Sequence, residues 1–463
     1  MQLKPLQKNP LPQPLKFKKL IGPSFIILGM GLGSGELVLW PYLTSHYGMG
    51  IIWGAIVGIT FQFFMNMEIE RYALANGESI FVGFARKLKI LPYWFILSTF
   101  IPWIWPGITA TAASLIAQLT GFENVQLISI ICLVLIGLLL SLGPVLYKTV
   151  ENYQKYVTII GVPFIFIITF LLTKANHWQA LGRGIIGLGD NYWLLPASIP
   201  LASFLAALAY AGAGGNLNLS QSTYVREKGY GMGKYAGKIK GLFKKEEQEF
   251  TLMGSTFEPT DENISIFKKW WKTVNLEHAT VFWFTGAATM VLLGLLSYAT
   301  TFGKMSDQSG INFLIMEAKI IGENLVPFVG TLFLVVSTAT LLGTQLGVFD
   351  ATSRIISENI VLAAKKDNES RIPKIYYMVL WAQILSGIFI LALDIHEPLQ
   401  LITISAVLNA FTMFVHVGLT LWTNKTLLHK QIRPKAFRTL MMLLAFAFYG
   451  GFSIYTIVNR FFR

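Results

Sequence analysis

Apolar residues gather into eleven long runs, at 23–47, 50–72, 91–119, 126–146, 156–173, 196–223, 279–300, 325–350, 375–394, 398–422 and 437–459. Each is poor in charge and close to the about 20 residues that a helix needs to cross the hydrocarbon core of a bilayer. That core offers no water to unpaired backbone groups, so runs of this kind must be helices. The pattern predicts an all-α polytopic membrane protein with eleven transmembrane helices. The first twenty residues, rich in proline and lysine, lack the apolar core of a signal peptide. The run that follows has no small-x-small cleavage pattern, so it is expected to stay as the first helix.

Composition sharpens this picture. Of 463 residues, 54% are hydrophobic and 13% charged, with a net charge of +13. A soluble chain carries about 25% charged residues, so several soluble globules are excluded. The single cysteine, Cys132, excludes a disulfide framework and a cysteine metal cluster. With the N-terminus in the cytoplasm, 31 of the 37 Lys and Arg fall on the cytoplasmic side. Lys174, Arg183, Lys304, Lys319, Arg460 and Arg463 fall on the other. This is the positive-inside pattern, and it accounts for the net charge with the lipid bilayer as partner and no nucleic acid. A multi-pass cell-membrane protein with an extracytoplasmic C-terminus is expected.

Two runs contain interruptions. The first reads Gly31-Leu32-Gly33-Ser34-Gly35-Glu36, and the sixth Tyr210-Ala211-Gly212-Ala213-Gly214-Gly215-Asn216. Glycine weakens a helix by about 1 kcal/mol relative to alanine, although in membranes it also serves close helix packing. The interrupted helices are the first and the sixth, so each begins a set of five, and an odd number inverts the second set. Paired interruptions in inverted repeats point to a midplane transport site. The predicted layout is an N-terminal tail (1–21) and one transmembrane domain (22–460). Within that domain, repeat one covers about 22–173, repeat two about 196–422, and an extra helix about 437–459. A long cytoplasmic loop is expected at 226–275, with the run at 244–249 starting a short surface helix. Residues 307–323 read as an amphipathic helix at the outer surface.

Specific motifs carry a resemblance. Gly22-Pro23, the GLGSGE run, Tyr47-Gly48, and Arg71 to Ser79 (RYALANGES) resemble the opening of the Nramp divalent-metal transporters. Val326 to Phe333 (VPFVGTLF) resembles that family's eighth helix, and Thr423 to Leu428 (TNKTLL) the turn after its tenth. The resemblance implies a LeuT-type 5+5 inverted repeat with helices 1 and 6 broken. It also implies alternating-access transport of a divalent cation. The site departs from the family pattern. Where the family has Asp-Pro-Gly-Asn, this chain has Gly33, Ser34, Gly35 and Glu36; where it has Met-Pro-His-Asn, this chain has Ala213, Gly214, Gly215 and Asn216. The family's metal-binding Asp maps to Gly33, its Asn to Glu36 and its Met to Ala213. Its carbonyl donor maps to Tyr210.

The expected substrate-binding residues are therefore Gly33, Ser34, Gly35, Glu36, Tyr210, Ala213 and Asn216. The metal-contacting set is Glu36, Asn216 and the Tyr210 backbone carbonyl. Oxygen donors without soft sulfur favour a hard ion such as Mg or Mn over a soft transition metal. Glu36 is the sharpest residue, because a carboxylate at the bilayer centre costs about 2.5–3.5 kcal/mol and marks function by default. The competing reading is a cap on the second half-helix.

The run 91–119 has no Asp, Glu, Lys, Arg or His, and 375–394 has charges only at its edges. The family's proton route is therefore missing, and proton coupling is not expected. Pro102, Trp103, Trp105 and Pro106 read as an aromatic interface anchor, with a cavity wall as the alternative. Asp350 with Arg354 and Glu68 with Arg71 are spaced to pair along helix faces. His416 and Asn409 read as interhelical hydrogen-bonding groups.

The alternative function is transport of an amino acid or organic amine, since GLGSGELVLWP also resembles the first-helix motif of amino-acid permeases. A membrane enzyme lacks a nucleophile, a metal cluster or an acid/base pair to run on, and no cofactor is expected. A monomer is expected.

Overall fold

The computed structural model describes residues 5–15, 20, 22–142, 146–236, 251–304, 310–364, 369–395 and 397–461. Among these, ten helical stretches are long and apolar enough to cross a membrane. In chain order with the sixth inserted, they are α1 (Pro23–Tyr47), α2 (Met49–Asn76), α3 (Leu91–Thr120), α4 (Val125–Leu142) and α5 (Lys148–Leu172). The second set is α7 (Asp261–Thr301), α8 (Pro327–Ala363), α9 (Glu369–Ala392) and α10 (Pro398–Leu427), followed by α11 (Ala436–Thr456). The sixth predicted run is split into α6a (Leu201–Ala209) and α6b (Ser220–Lys228), each too short to span alone. Ten full-length spans and the one split into two short halves reconcile with the eleven runs.

The two predicted interruptions take different forms. In α6 the chain leaves the helix after Ala209, with Gly212, Gly214 and Gly215 at φ of 141°, 75° and 56°. Those angles are open to glycine and strained for other residues. In α1 the chain stays wound, but Leu32–Leu39 form a π-helix between the α-helical segments Pro23–Gly31 and Trp40–Tyr47. The regular α ladder is interrupted there by wide turns rather than by extended backbone.

Two expectations need correction. Residues 261–275, read as part of a long loop, are helix and run unbroken into the seventh span. The reason is visible in the sequence: Thr260 caps the helix by accepting from the Asn263 amide, and Asp261 and Glu262 sit in the first turn. Ile264, Phe267, Trp270 and Val274 then recur at helical spacing and are buried. At the loop's other end, Arg226 and Glu227 are buried within α6b. The run 244–249 lies outside the described residues.

The second correction is α3, which is not one uniform helix. It consists of Leu91–Trp103 and Gly107–Thr120, joined through Pro106, whose missing N–H cannot continue the ladder. The bend turns Trp103 into the core at 3% exposure, so this tryptophan is not an interface anchor.

Beside the beginning of α7, residues 5–15 are tied down. Gln7–Lys8 pair in parallel with Ser255–Thr256, and Trp270 Nε1 donates to the Pro12 carbonyl at 2.7 Å. The amphipathic segment forms a helix, Asn312–Asn324, with Phe313, Leu314, Ala318 and Ile321 buried. Residues 307–309 of that prediction lie outside the described residues.

Candidate functional site

The π-helical stretch of α1 and the break in α6 pack on each other through glycine. A methyl group at Gly31 would lie 2.6 Å from the Gly212 carbonyl carbon, and one at Gly35 would lie 1.6 Å from the Tyr210 carbonyl oxygen. Gly33 faces α8 instead: its amide donates to Thr344 Oγ1 at 2.9 Å, and that hydroxyl donates to the Gly29 carbonyl at 2.6 Å. Thr344 thus stitches the widened turn of α1 to α8. Gln62 of α2 does the same for α6, donating to the Ala209 carbonyl at 2.9 Å and accepting from the Gly214 amide at 3.3 Å. Both departures from α geometry are held by side chains of neighbouring helices, which satisfy the backbone groups they release.

Glu36 is fully buried and directed at α7. Thr289 Oγ1 donates to its Oε2, while its Oε1 has no hydrogen-bond partner among the described residues. A methyl group at Gly286 would come 3.3 Å from that Oε1, so a glycine keeps the carboxylate's free side open. Asn216, just past the α6 break, points to α3, where its Nδ2 donates to Ser98 Oγ at 2.8 Å and Thr99 Oγ1 at 2.9 Å. Its Oδ1 is unpartnered and buried, as is Ser34 Oγ.

The hydroxyl of Tyr210 meets Ser405 Oγ at 2.6 Å and accepts from Asn409 Nδ2 at 3.0 Å. Its ring stacks on Trp103 at 5.4 Å between centroids and 15° between planes. His416 Nε2 lies 3.0 Å from the Gly215 carbonyl. His416 and Asn409 therefore make the interhelical bonds expected of them. Ala213 is fully buried and offers no side-chain donor.

Geometry gathers the expected residues around one crossing but not into one coordination shell. The side-chain hydrogen bonds of Glu36 run to α7, those of Asn216 to α3 and those of Tyr210 to α10. Among the described residues, no group of three or more His, Cys, Asp and Glu is poised to hold a metal. The unpaired oxygens of Glu36, Asn216 and Ser34 are among those the crossing leaves available. A buried polar atom without a protein partner calls for a ligand, an ion or water.

Several residues escaped the sequence reading. Ser24 of α1 donates to Glu277 Oε2 at 2.5 Å and lies 2.8 Å from His278 Nδ1. Both partners sit in the part of α7 read as loop or loop edge, next to a second π-helical stretch at Ala279–Phe284. The serine lies between acid and imidazole and His278 Nε2 is unpartnered. A relay needs the histidine in the middle, so this is no catalytic triad. Thr289, Gln62, Ser98, Thr99 and Ser405 carry no distinguishing sequence signal, being small polar residues in apolar runs.

No protein-family model matches the chain, and no curated protein matches it. Solved structures do. A mutant of the manganese transporter of Eremococcus coleocola superposes with a TM-score of 0.72 at 13% identity, covering 98% of this chain and 90% of that one. The same transporter bound to an aromatic bis-isothiourea compound gives 0.70 at 13% identity, covering 98% and 89%. MhsT in complex with L-phenylalanine gives 0.50 at 13% identity, covering 95% and 98%. The chain has the LeuT-type fold. Its α1–α5 and α6–α10 are the two inverted repeats, interrupted in their first members, and α11 is appended. It is a multi-pass membrane protein.

Proposed function

We infer that the chain is a secondary transporter, active or facilitative, related to the Nramp family, that carries a divalent cation by alternating access. A hard ion such as Mg or Mn fits better than a soft transition metal. The observation that carries this reading is the buried Glu36 carboxylate at the α1–α6 crossing, with one oxygen unpaired. The Asn216 amide oxygen, also unpaired, lies on the facing interruption. These are acceptors without donors, the arrangement for a cation rather than an anion. One carboxylate and amide or carbonyl oxygens, without sulfur or imidazole among the expected ligands, suit a partly hydrated hard ion. The manganese transporter of the same fold supports the substrate class.

A second reading is an amino acid or organic amine, favoured by the stacked Trp103–Tyr210 pair at the α6 break. In that case Glu36 pairs with the substrate amine. We further propose a cytoplasmic N-terminus, an extracytoplasmic C-terminus, a monomer, and transport without proton coupling through α3 and α9.

Calorimetry on the purified protein tests the main reading, first with Mg, Mn and Ca and then with an amino-acid panel. Saturable divalent-cation binding that Glu36→Gln abolishes is expected, with the variant still folded. Unchanged metal affinity in that variant rejects the cation site. Amino-acid binding without metal binding selects the second reading.

A further inference from the structure

Away from the crossing, at the end of the bundle that carries the basic loops, lies a cleft of about 370 Å³. It opens between the end of α2, the first half of α7 and the link from α10 to α11. Arg71, Lys268, Arg433, Lys435 and Arg438 line it, and none of its lining residues is acidic. Among the described residues, the only carboxylate paired with these cations is Glu68, buried behind the cleft. It accepts from Arg71 at 2.8 and 2.9 Å and lies 3.5 Å from Arg438 Nη1. One negative charge therefore stands behind five positive ones.

The floor is built rather than casual. The Arg71 guanidinium lies over the Trp271 ring at 3.8 Å from its centroid, and that of Arg438 at 4.7 Å. Arg71 Nη1 also donates to the Ile432 carbonyl at 2.9 Å, and Arg433 Nε to the Leu428 carbonyl at 2.7 Å. Planar guanidinium groups fixed by stacking and backbone acceptors lose little freedom when they bind a phosphate. Lys268 and Lys435 stand exposed at the mouth.

The mouth opens beside Phe437, 64% exposed, and Leu440, 53% exposed, on the outward face of α11. An apolar helix face beginning at the lip of a cationic cleft is the cross-section of a phospholipid: phosphate in the cleft, acyl chains along the helix.

We propose that this cleft is a binding site for the phosphate-bearing headgroup of an anionic phospholipid. Positive-inside loops attract such lipids diffusely. A cleft with a stacked guanidinium floor holds one in place. It would anchor the hinge between α10 and α11 to α7, the helix that carries the partner of Glu36. Nothing in the proposal depends on what the transporter carries.

Native mass spectrometry of the full chain, with short-chain phosphatidylglycerol, short-chain phosphatidylcholine or inorganic phosphate as probes, tests it. Lys268→Gln with Lys435→Gln removes two exposed cations of the cleft. Lys269→Gln with Lys272→Gln removes two nearby cations that do not line it. We expect phosphatidylglycerol affinity to fall at least tenfold in the first pair, each cation contributing roughly fivefold. The second pair should change it less than twofold, with melting temperature unchanged in both. Equal losses in the two pairs, or equal binding of phosphatidylcholine, overturn the site. Inorganic phosphate binding as tightly as the lipid overturns the lipid assignment. Retention of phosphatidylglycerol by the first pair at wild-type affinity overturns the proposal outright.

Discussion

Two buried charged regions of this protein obey opposite rules. At the α1–α6 crossing, Glu36 stands among the described residues with one neutral donor, Thr289, and no cation. Toward the basic end, Asp350 and Arg354 of α8 pair at 2.8 Å, and Glu227 of α6b pairs with the same guanidinium. Tyr376 and Tyr224 donate to Asp350 at 2.9 and 3.0 Å. In the second region one guanidinium is shared by two carboxylates and two tyrosine hydroxyls donate to Asp350, so much of its burial is compensated within the protein. The burial of the first is not. A buried ion pair with good partners is retained as structure, whereas a lone carboxylate keeps its desolvation cost until something positive arrives. Charge placement alone thus separates a brace from a site.

The sharpest way to break this contrast is to make the brace resemble the site. Arg354→Met leaves Asp350 and Glu227 without their shared cation in a dry interior. Breaking a buried pair from one side costs about 3–5 kcal/mol. The variant should therefore show the largest drop in melting temperature of any single substitution considered. A drop no larger than that of an exposed lysine variant would mean that water reaches the network.

The reciprocal change at the crossing should behave differently. Glu36→Gln removes a charge that the fold does not compensate, so the melting temperature should hold or rise. Divalent-cation binding should be lost, a weakening of at least about a hundredfold when a charge-assisted contact worth about 3 kcal/mol goes. A variant that loses stability and binding together would put Glu36 with the brace, as a cap on the second part of α1.

Next in size is Gly35→Ala. Its methyl group would sit 1.6 Å from the Tyr210 carbonyl oxygen, which belongs to backbone and cannot swing away. Forcing the interruptions apart should cost about 1–3 kcal/mol by overpacking, and should weaken binding as well. Gly182→Ala meets no atom within 4 Å and is the contrasting position. Its φ is not in the left-handed region, so the methyl group adds no backbone strain there.

How much of this was legible beforehand follows from the physics of each feature. The spans, the paired interruptions and the Asp350–Arg354 and Glu68–Arg71 pairs follow from local pattern, because hydropathy and i, i+3 or i, i+4 spacing are local quantities. The form of the α1 interruption was not legible. Glycines say that the α ladder is weak, but the choice of a π-helix over unwound chain depends on Thr344 reaching across from α8. Trp103 was misread for a similar reason, since only the bend in α3 decides whether it meets lipid or Tyr210. The beginning of α7 was legible in its Thr260 cap and periodic apolar face, yet its polar composition outweighed them. That misreading hid Glu277 and His278.

The smallest effect is also the most discriminating. Among the described residues, Thr289 is the one side chain that donates to Glu36, and its hydroxyl sits within hydrogen-bond reach of the Thr285 carbonyl at 2.6 Å as well. Thr289→Val keeps the shape and removes the donor, so Glu36 loses the one interaction that favours its charged form. Cation affinity should then fall about fivefold to tenfold, near 1 kcal/mol for one hydrogen bond. Folding should change little, because the helix ladder of α7 does not use this hydroxyl. Thr289→Ser keeps the donor and should restore most of the affinity, whereas a purely steric role for the methyl group predicts the reverse order. If valine and serine bind cation alike, the donor does not tune Glu36, and the carboxylate must be poised by its open side toward Gly286 instead.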